Sequence, residues 1–297
     1  MLEHLEREPR NPSRVAVLGA GGFIAGAVVS ALQHEGIAVV KLGRPALDLL
    51  QPGARDVLLE KLKADDVLVF ASARAPCKDV AMLRENLLMA QAVCAALATR
   101  PVAHVVYISS DAVYKDSSSA LTEASCAEPG SLHGVMHLAR ELALKSAFGG
   151  PLALVRPTLV YGLDDPHNGY GPNRFRRLAS AGKDIVLFGE GEERRDHVDV
   201  ADVALLVLKI IQQRSRGIAN AVSGEVVSFR QLAEFAASEF APRVAVKASP
   251  RSGPMPHNGY RPFDNRAVLA AFPGFRFKGW REGLSAVHAR QKRSAAA

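Results

Sequence analysis

The feature that most constrains this 297-residue chain lies near its start. There Val15-Ala-Val-Leu18 runs directly into Gly19-Ala-Gly-Gly22 and then Phe23-Ile24-Ala25-Gly26. A short β-branched run, a glycine-rich turn and a helix start in immediate succession admit few arrangements. Gly19 permits a tight turn, and Gly22 lets backbone N–H groups approach a pyrophosphate. The helix beginning at Phe23 and Ile24 aims its positive dipole end at the same point. Ala25 takes the third small position, where helix and strand pack closely. A second strand is expected over Ala38–Leu42, on schedule for the first βαβ unit of a dinucleotide-binding fold.

The alternation continues. Apolar runs at 67–71, 104–109, 152–156 and 219–222 read as strands, and stretches at 24–34, 55–62, 80–98 and 134–147 read as helices. That order predicts βαβ units with a parallel sheet covered on both faces. After residue 157 the texture changes. Loops rich in Pro, Gly and Asn fill 163–173 and 249–262, with helical stretches at 175–181, 200–211, 230–240 and 281–288. The expected fold class is α/β, a Rossmann-type doubly wound parallel sheet with a smaller C-terminal substrate-binding lobe. Residues 1–13 read as a flexible arm and 14–157 as the dinucleotide-binding domain. Residues 158–290 read as a mixed segment forming the lobe and the last strands of the sheet, and 291–297 as a flexible tail.

Composition excludes several classes. With 48% hydrophobic and 23% charged residues the chain can build a full core without metal or disulfides. Cys77, Cys94 and Cys126 are odd in number and never spaced C-x-x-C, which suits a reducing cytoplasm. Apolar runs such as 203–211 are too short to cross a bilayer, so no membrane association is expected. The net charge is +7, but Lys and Arg are dispersed rather than striped with aromatics, so no nucleic-acid partner is expected. Attraction for an anionic nucleotide ligand accounts for the charge equally well.

About 20 residues beyond the glycine turn, NAD sites carry an acidic residue against the ribose 2′-hydroxyl. Here the stretch is Val40-Lys-Leu-Gly43-Arg44. Gly43 supplies no carboxylate, and Arg44 can pair with a 2′-phosphate in bidentate fashion. The cofactor is therefore expected to be NADP or NAD, with NADP slightly preferred. Asn173, Arg174 and Arg177 sit near a helix start after the first polar loop, where an anion is welcome. Arg261, in the second loop, is a weaker candidate of the same kind.

Taken together, these motifs resemble the extended short-chain dehydrogenase/reductase superfamily, the NAD-dependent epimerase/dehydratase family, from Val15 to about Leu284. Asp66-Val-Leu-Val-Phe-Ala71-Ser72-Ala73 resembles the strand that ends beside the cofactor, and Asn86 matches the asparagine of the following helix. Ser109-Ser110-Asp111-Ala-Val-Tyr114 resembles the family's S-S/T-x-x-V-Y segment. Arg156-Pro157-Thr-Leu-Val-Tyr-Gly162 and Arg195-Asp-His-Val-Asp-Val-Ala-Asp-Val203 match two further stretches. Arg44 followed by Leu47-Asp-Leu49 is similar to the dTDP-4-dehydrorhamnose reductase branch. The resemblance implies an NAD(P)-dependent enzyme of epimerase, dehydratase or reductase type, acting on a nucleotide sugar and pairing as a homodimer. It places Ala71, Ser72, Ala73, Asn86, Ser109, Pro157 and His137 near the cofactor. Ser110 would orient the substrate oxygen and Arg195 would meet the substrate diphosphate. Arg195 could instead be a surface partner of Glu192 or Asp196, and Asp199 and Asp202 could simply cap a helix.

One match fails. The family carries Tyr-x-x-x-Lys on the helix after the serine strand, and this chain has His133 and His137 there. In the family the lysine holds the nicotinamide ribose and lowers the tyrosine pKa. An imidazole, with an ordinary pKa of about 6.5, can act as acid or base, but it is shorter and two imidazolium ions repel. Asp111 sits where dehydratases of the family use an acid. Either His133 or Asp111 could carry the proton, or His137 could merely bond a ribose or a water. His133, His137 and Glu141 share one helical face, but with no further ligand and no H-E-x-x-H order, no metal is expected. The alternative function is a non-catalytic NAD(P)-binding sensor or assembly protein on the same fold.

Overall fold

The computed structural model describes residues 2–296. Its strands are β1 (Arg14–Leu18), β2 (Ala38–Leu42), β3 (Val67–Phe70), β4 (His104–Ile108), β5 (Leu152–Pro157), β6 (Leu159–Tyr161), β7 (Ile185–Phe188), β8 (Arg194–Asp199), β9 (Gly217–Ala221), β10 (Val226–Ser228), β11 (Val246–Ser249) and β12 (Tyr260–Arg261). The helices are α1 (Phe23–His34), α2 (Ala54–Lys61), α3 (Val80–Thr99), α4 (Leu132–Ala147), α5 (Pro172–Ser180), α6 (Val200–Gln212), α7 (Phe229–Glu239), α8 (Arg266–Ala271) and α9 (Trp280–Ala296).

Among the described residues, β2, β1, β3, β4, β5 and β9 form, in that spatial order, one all-parallel sheet. Alternate side chains enter opposite layers. Val15, Val17, Val69, Val106 and Val155 pack with Val28 and Leu32 of α1 and with Leu206 and Ile210 of α6. Ala16, Leu18, Phe70, Tyr107 and Leu154 pack with Leu58 of α2, Val93 and Leu97 of α3 and Leu144 of α4. Burial on both faces explains why these strands read as continuous apolar runs. The chain leaves β1 for β2 on one side and crosses back to β3 on the other. A crevice therefore opens at the carboxyl ends of β1 and β3. The Leu47-Asp-Leu49 stretch forms no strand; Leu47 and Leu49 are buried as anchors of a loop on the α2 side.

After residue 157 the chain divides. α6 and β9 return to the main sheet, while β8 becomes the centre of a second sheet, with β6 and β12 parallel to it and β10 antiparallel. Tyr161, Phe175, Leu187, Phe229, Leu232 and Leu284 form the lobe's core.

Two expectations are revised. The segment read as a free arm is docked: Glu3 exchanges backbone hydrogen bonds with Arg216 at 2.9 and 2.8 Å, and His4 bonds Ser215 and the Ala271 carbonyl. Its partners lie more than 200 residues away, beyond any local signal. The tail through residue 296 continues α9, since Ala, Arg, Lys and Gln favour helix and no Gly or Pro stops it. α3, 20 residues long, is apolar enough to cross a bilayer by length and composition, a test that the run at 203–211 does not meet. In this fold its Asn86, Ala90, Val93, Ala96 and Leu97 are buried against the sheet.

Candidate active site

A cavity of about 790 Å³ runs from the start of α1, across the carboxyl ends of the central strands, to the lobe. At one end the glycine turn is closed by its own backbone: Gly19 N–H donates to Leu42 and Gly22 N–H donates to Gly19, both at 2.8 Å. Gly19 has φ +88°, and a Cβ there would lie 2.7 Å from Ser72 Oγ and 2.8 Å from Ser72 N. Only glycine fits where the turn crosses the loop after β3. Gly22 caps α1 without a side chain, and the first N–H groups of the helix have no carbonyl a turn earlier to bond. Gly22, Phe23 and Ile24 line the cavity with that positive end. These groups fit linked phosphates. Arg44 is exposed, two residues beyond the carbonyl that Gly19 bonds, and has no hydrogen-bond partner among the described residues.

The neighbouring expected residues divide by where they point. Ala71 and Ala73 line the cavity. Ser72 faces Gly19, and its carbonyl accepts from Arg140 Nη2 at 2.7 Å. Asn86 is fully buried and clamps the same loop, donating to the Arg74 and Met82 carbonyls and accepting from Arg74 N–H. It positions the loop and is absent from the cavity wall. Ser109 turns to the opposite face from Ser110 and donates to Glu141 Oε1 at 2.6 Å, a carboxylate also held by Arg156. Pro157 ends β5 opposite Ala221, and the next residue, Thr158, lines the cavity.

At the centre, Ser110 Oγ accepts from Ala112 N–H at 3.1 Å and caps the tight turn that follows β4. α4 lies almost in contact with that turn: a Cβ on Gly134 would sit 2.0 Å from the Ala112 carbonyl oxygen. This approach brings His133 to the wall shared by Ser110 and Asp111. His133 Nδ1 accepts from Cys77 N–H at 3.3 Å, so the neutral ring carries its proton on Nε2. Burial pushes its pKa below the usual value, against the pull of Asp111. His137 stands behind it, edge to face with ring centres 4.7 Å apart, and its Nδ1 pairs with Tyr107 Oη at 2.8 Å. Burial, then His133 and Arg140, hold the His137 pKa well below 6.5. His137 is therefore a buried neutral ring. Asp111 is engaged by Arg261 Nε at 3.2 Å. Glu141, the third acceptor on the helix face, is committed to Ser109 and Arg156.

At the lobe end, Arg195 lines the cavity and bonds Glu193 at 3.2 Å, while its Nε is buried without a partner. Asn173 also lines the cavity, with its Oδ1 taken by Gly162 N–H at 3.1 Å. Arg174 is exposed on α5, off the cavity wall, and Arg177 is tied to Asp165 and Asn168. Arg261 is buried between Asp111 and Asp116. Asp199 caps α6, and Asp202 accepts from Lys278 N–H. Several lining residues escape sequence reasoning, among them His197, Asp116 and His257. His197 Nδ1 donates to the Arg195 carbonyl at 3.2 Å, its Nε2 has no partner, and burial pushes its pKa to about 3. The stretch containing His197 and the loop containing His257 both stand out in the sequence, but nothing there marks which of their side chains turns inward.

Residues 15–223 match the family model described as the NAD dependent epimerase/dehydratase family. A dTDP-4-dehydro-6-deoxy-D-allose reductase of Streptomyces bikiniensis is 33% identical over 95 residues, which cover 30% of this chain and 28% of that protein. The likeness thus takes in only that share of the curated relative's length. Among solved structures, a UDP-glucose 4-epimerase of Thermus thermophilus in complex with NAD superposes with a TM-score of 0.82 at 23% identity, covering 94% of this chain and 99% of that one. A GDP-L-fucose synthetase of Naegleria fowleri bound to NADP gives 0.80 at 16% identity, covering 99% and 98%. At such identities the likeness is one of fold.

Proposed function

The chain belongs to the NAD-dependent epimerase/dehydratase family, and from that premise we propose that it is an NAD(P)-dependent oxidoreductase or epimerase acting on a nucleotide sugar. The observation that carries the reading is one continuous cavity. It joins the open N-terminus of α1 to Arg195 by way of Ser110 and His133. Its volume of about 790 Å³ lies in the range of ligand sites. Gly19 shapes the turn, and the N–H groups of Phe23 and Ile24 take the pyrophosphate. Arg44 stands where an adenine ribose would lie and favours a 2′-phosphate, hence NADP. Bound there, the dinucleotide supplies a hydride donor or acceptor.

The chain's own groups position the sugar. Ser110 Oγ and the Nε2–H of His133 converge on the oxygen of the reacting carbon. A neutral imidazole serves there as a hydrogen-bond donor that strengthens as charge develops on that oxygen. Arg195 brings a positive charge to the diphosphate, with Asn173 lining the same cavity. Exposed Val80, Leu87 and Leu88 on α3 and Val135 and Leu142 on α4, two helices packed side by side, suit pairing with a second copy. Thiols left free at Cys77, Cys94 and Cys126 suit a reducing cytoplasm.

A second reading rests on His137. A neutral ring in place of the family's lysine removes the cation beside the ribose, as a cofactor sensor without turnover could tolerate. Absorbance assays of NADPH and NADH with a panel of nucleoside-diphosphate ketosugars decide between the two. The enzyme reading predicts turnover that Ser110→Ala lowers about 100-fold. Dinucleotide binding with no turnover on any sugar would favour the sensor.

A further inference from the structure

His133, as bonded here, orients an oxygen but has no route to carry a proton. Giving up its Nε2–H would leave an imidazolate, and taking a second proton on Nδ1 would break the bond from Cys77 N–H. Asp111 is occupied by Arg261, which donates from Nε to the carboxylate and from Nη2 to the backbone carbonyl. A sugar hydroxyl that becomes a ketone must nevertheless lose a proton.

The lobe supplies a group suited to it. His257 lines the same cavity as Ser110 and His133 and is bonded through Nδ1 to Asp116 Oδ1 at 2.5 Å. Asp116 also accepts from Arg261 Nη1, which lies 3.1 Å from His257 Nδ1. Burial alone would raise the Asp116 pKa, but His257 and Arg261 hold it below the usual carboxylate range. An ionised Asp116 can only accept, so the His257 proton sits on Nδ1 and Nε2 keeps its lone pair. This is the opposite tautomer to His133. The charged groups facing the ring are Asp116, Arg261 and Arg195, with Asp111 behind Arg261. Burial and Arg195 lower the His257 pKa against the pull of Asp116, which favours a neutral base at pH 7. The backbone bears a cost for this placement: His257 and Asn258 hold φ of 54° and 53°, a left-handed conformation unusual outside glycine.

We propose that His257, oriented by Asp116, is the group that takes and returns the substrate's proton, delivered to the site by the C-terminal lobe. In the oxidative direction the sugar O–H bond breaks and its proton forms an N–H bond at His257 Nε2. The electron pair left on oxygen closes the C=O bond as the carbon gives up hydride to the oxidised dinucleotide. Asp116 stays ionised beside the imidazolium, and reduction reverses each step. The assignment rests on the nucleotide-sugar reading.

The test is His257→Asn, since asparagine tolerates a left-handed backbone. Turnover should fall about 100-fold or more, as for loss of a general acid–base group, with dinucleotide affinity within twofold of wild type. Asp116→Asn should fall less and move the acidic limb of the oxidative pH profile to lower pH, because the charge that raises the His257 pKa is gone. Imidazole nitrogen NMR provides a readout independent of turnover: the resonance lost in His257→Asn should report Nδ1–H. Wild-type turnover and pH profile in His257→Asn, or an Nε2–H tautomer for that ring, would overturn the assignment alone. A wild-type protein inert on every sugar would overturn the nucleotide-sugar reading and this assignment together.

Discussion

The two ends of the cavity are made of different materials. The dinucleotide end is built from backbone: a turn closed by its own N–H groups, a helix N-terminus and a glycine that no other residue can replace. The corner proposed for the chemistry is built from side chains delivered by separate segments, with Ser110 after β4, His133 on α4 and His257 from the lobe. A backbone cradle binds any ligand of the right charge and shape, so it survives changes of chemistry. A side-chain corner can be rewired one residue at a time, and here two of its members, His133 and His257, are imidazoles.

Gly134→Ala should separate the two ends most sharply. In an exposed helix this change stabilises by about 1 kcal/mol. Here the new Cβ would lie 2.0 Å from the Ala112 oxygen, so α4 must move off the Ser110 turn. We expect a loss of about 3 kcal/mol in chemical denaturation and of most turnover, with dinucleotide affinity within about threefold of wild type. Equal loss of binding would show that the ends are one structural unit.

A histidine of the framework should respond to pH in stability alone. His104 is buried in β4 and donates from Nε2 to the Ser215 carbonyl at 2.7 Å, and burial pushes its pKa down to about 4. The unfolded ring has a pKa of about 6.5 and binds the proton first, so this contribution is intact above pH 6.5. It is lost as pH falls through 4, by about 3 kcal/mol in all. Denaturation curves between pH 7 and 4 should show that slope, flattened in His104→Gln. An unchanged slope would place the titrating ring elsewhere.

Arg44→Ala is the mildest change. NADPH affinity should fall about tenfold and NADH affinity should hold, as expected for loss of one charge-assisted pair. Parallel losses would move Arg44 from the 2′-phosphate to the shared part of the cofactor.

What is legible in the sequence follows the same division. The sheet, the glycine turn and the order of helices are local patterns repeated along the chain, and strand and helix positions can be read from them. Ser110 is legible because its place at a strand end is a matter of spacing. That Ser109 faces Glu141 and Arg156 while Ser110 faces the cavity depends on alternation at one strand end, which spacing alone leaves open. His257 and Asp116 are 141 residues apart, and the contact between them exists only after the lobe folds onto the sheet. Arg261 reads as a cation for a ligand, yet its charge is spent on Asp111 and Asp116. Arg174 sits at a helix start that suits an anion and faces outward. The docking of Glu3 and His4 likewise depends on partners near residue 215.

Calorimetric titration of the purified protein with NADPH, NADP⁺, NADH and NAD⁺, beside a Gly22→Asp variant, bears most directly on the cradle. We expect saturable binding in the wild-type protein that the carboxylate at position 22 abolishes by repelling the phosphates at the helix N-terminus. No heat of binding with any of the four, or affinity untouched by Gly22→Asp, would contradict it.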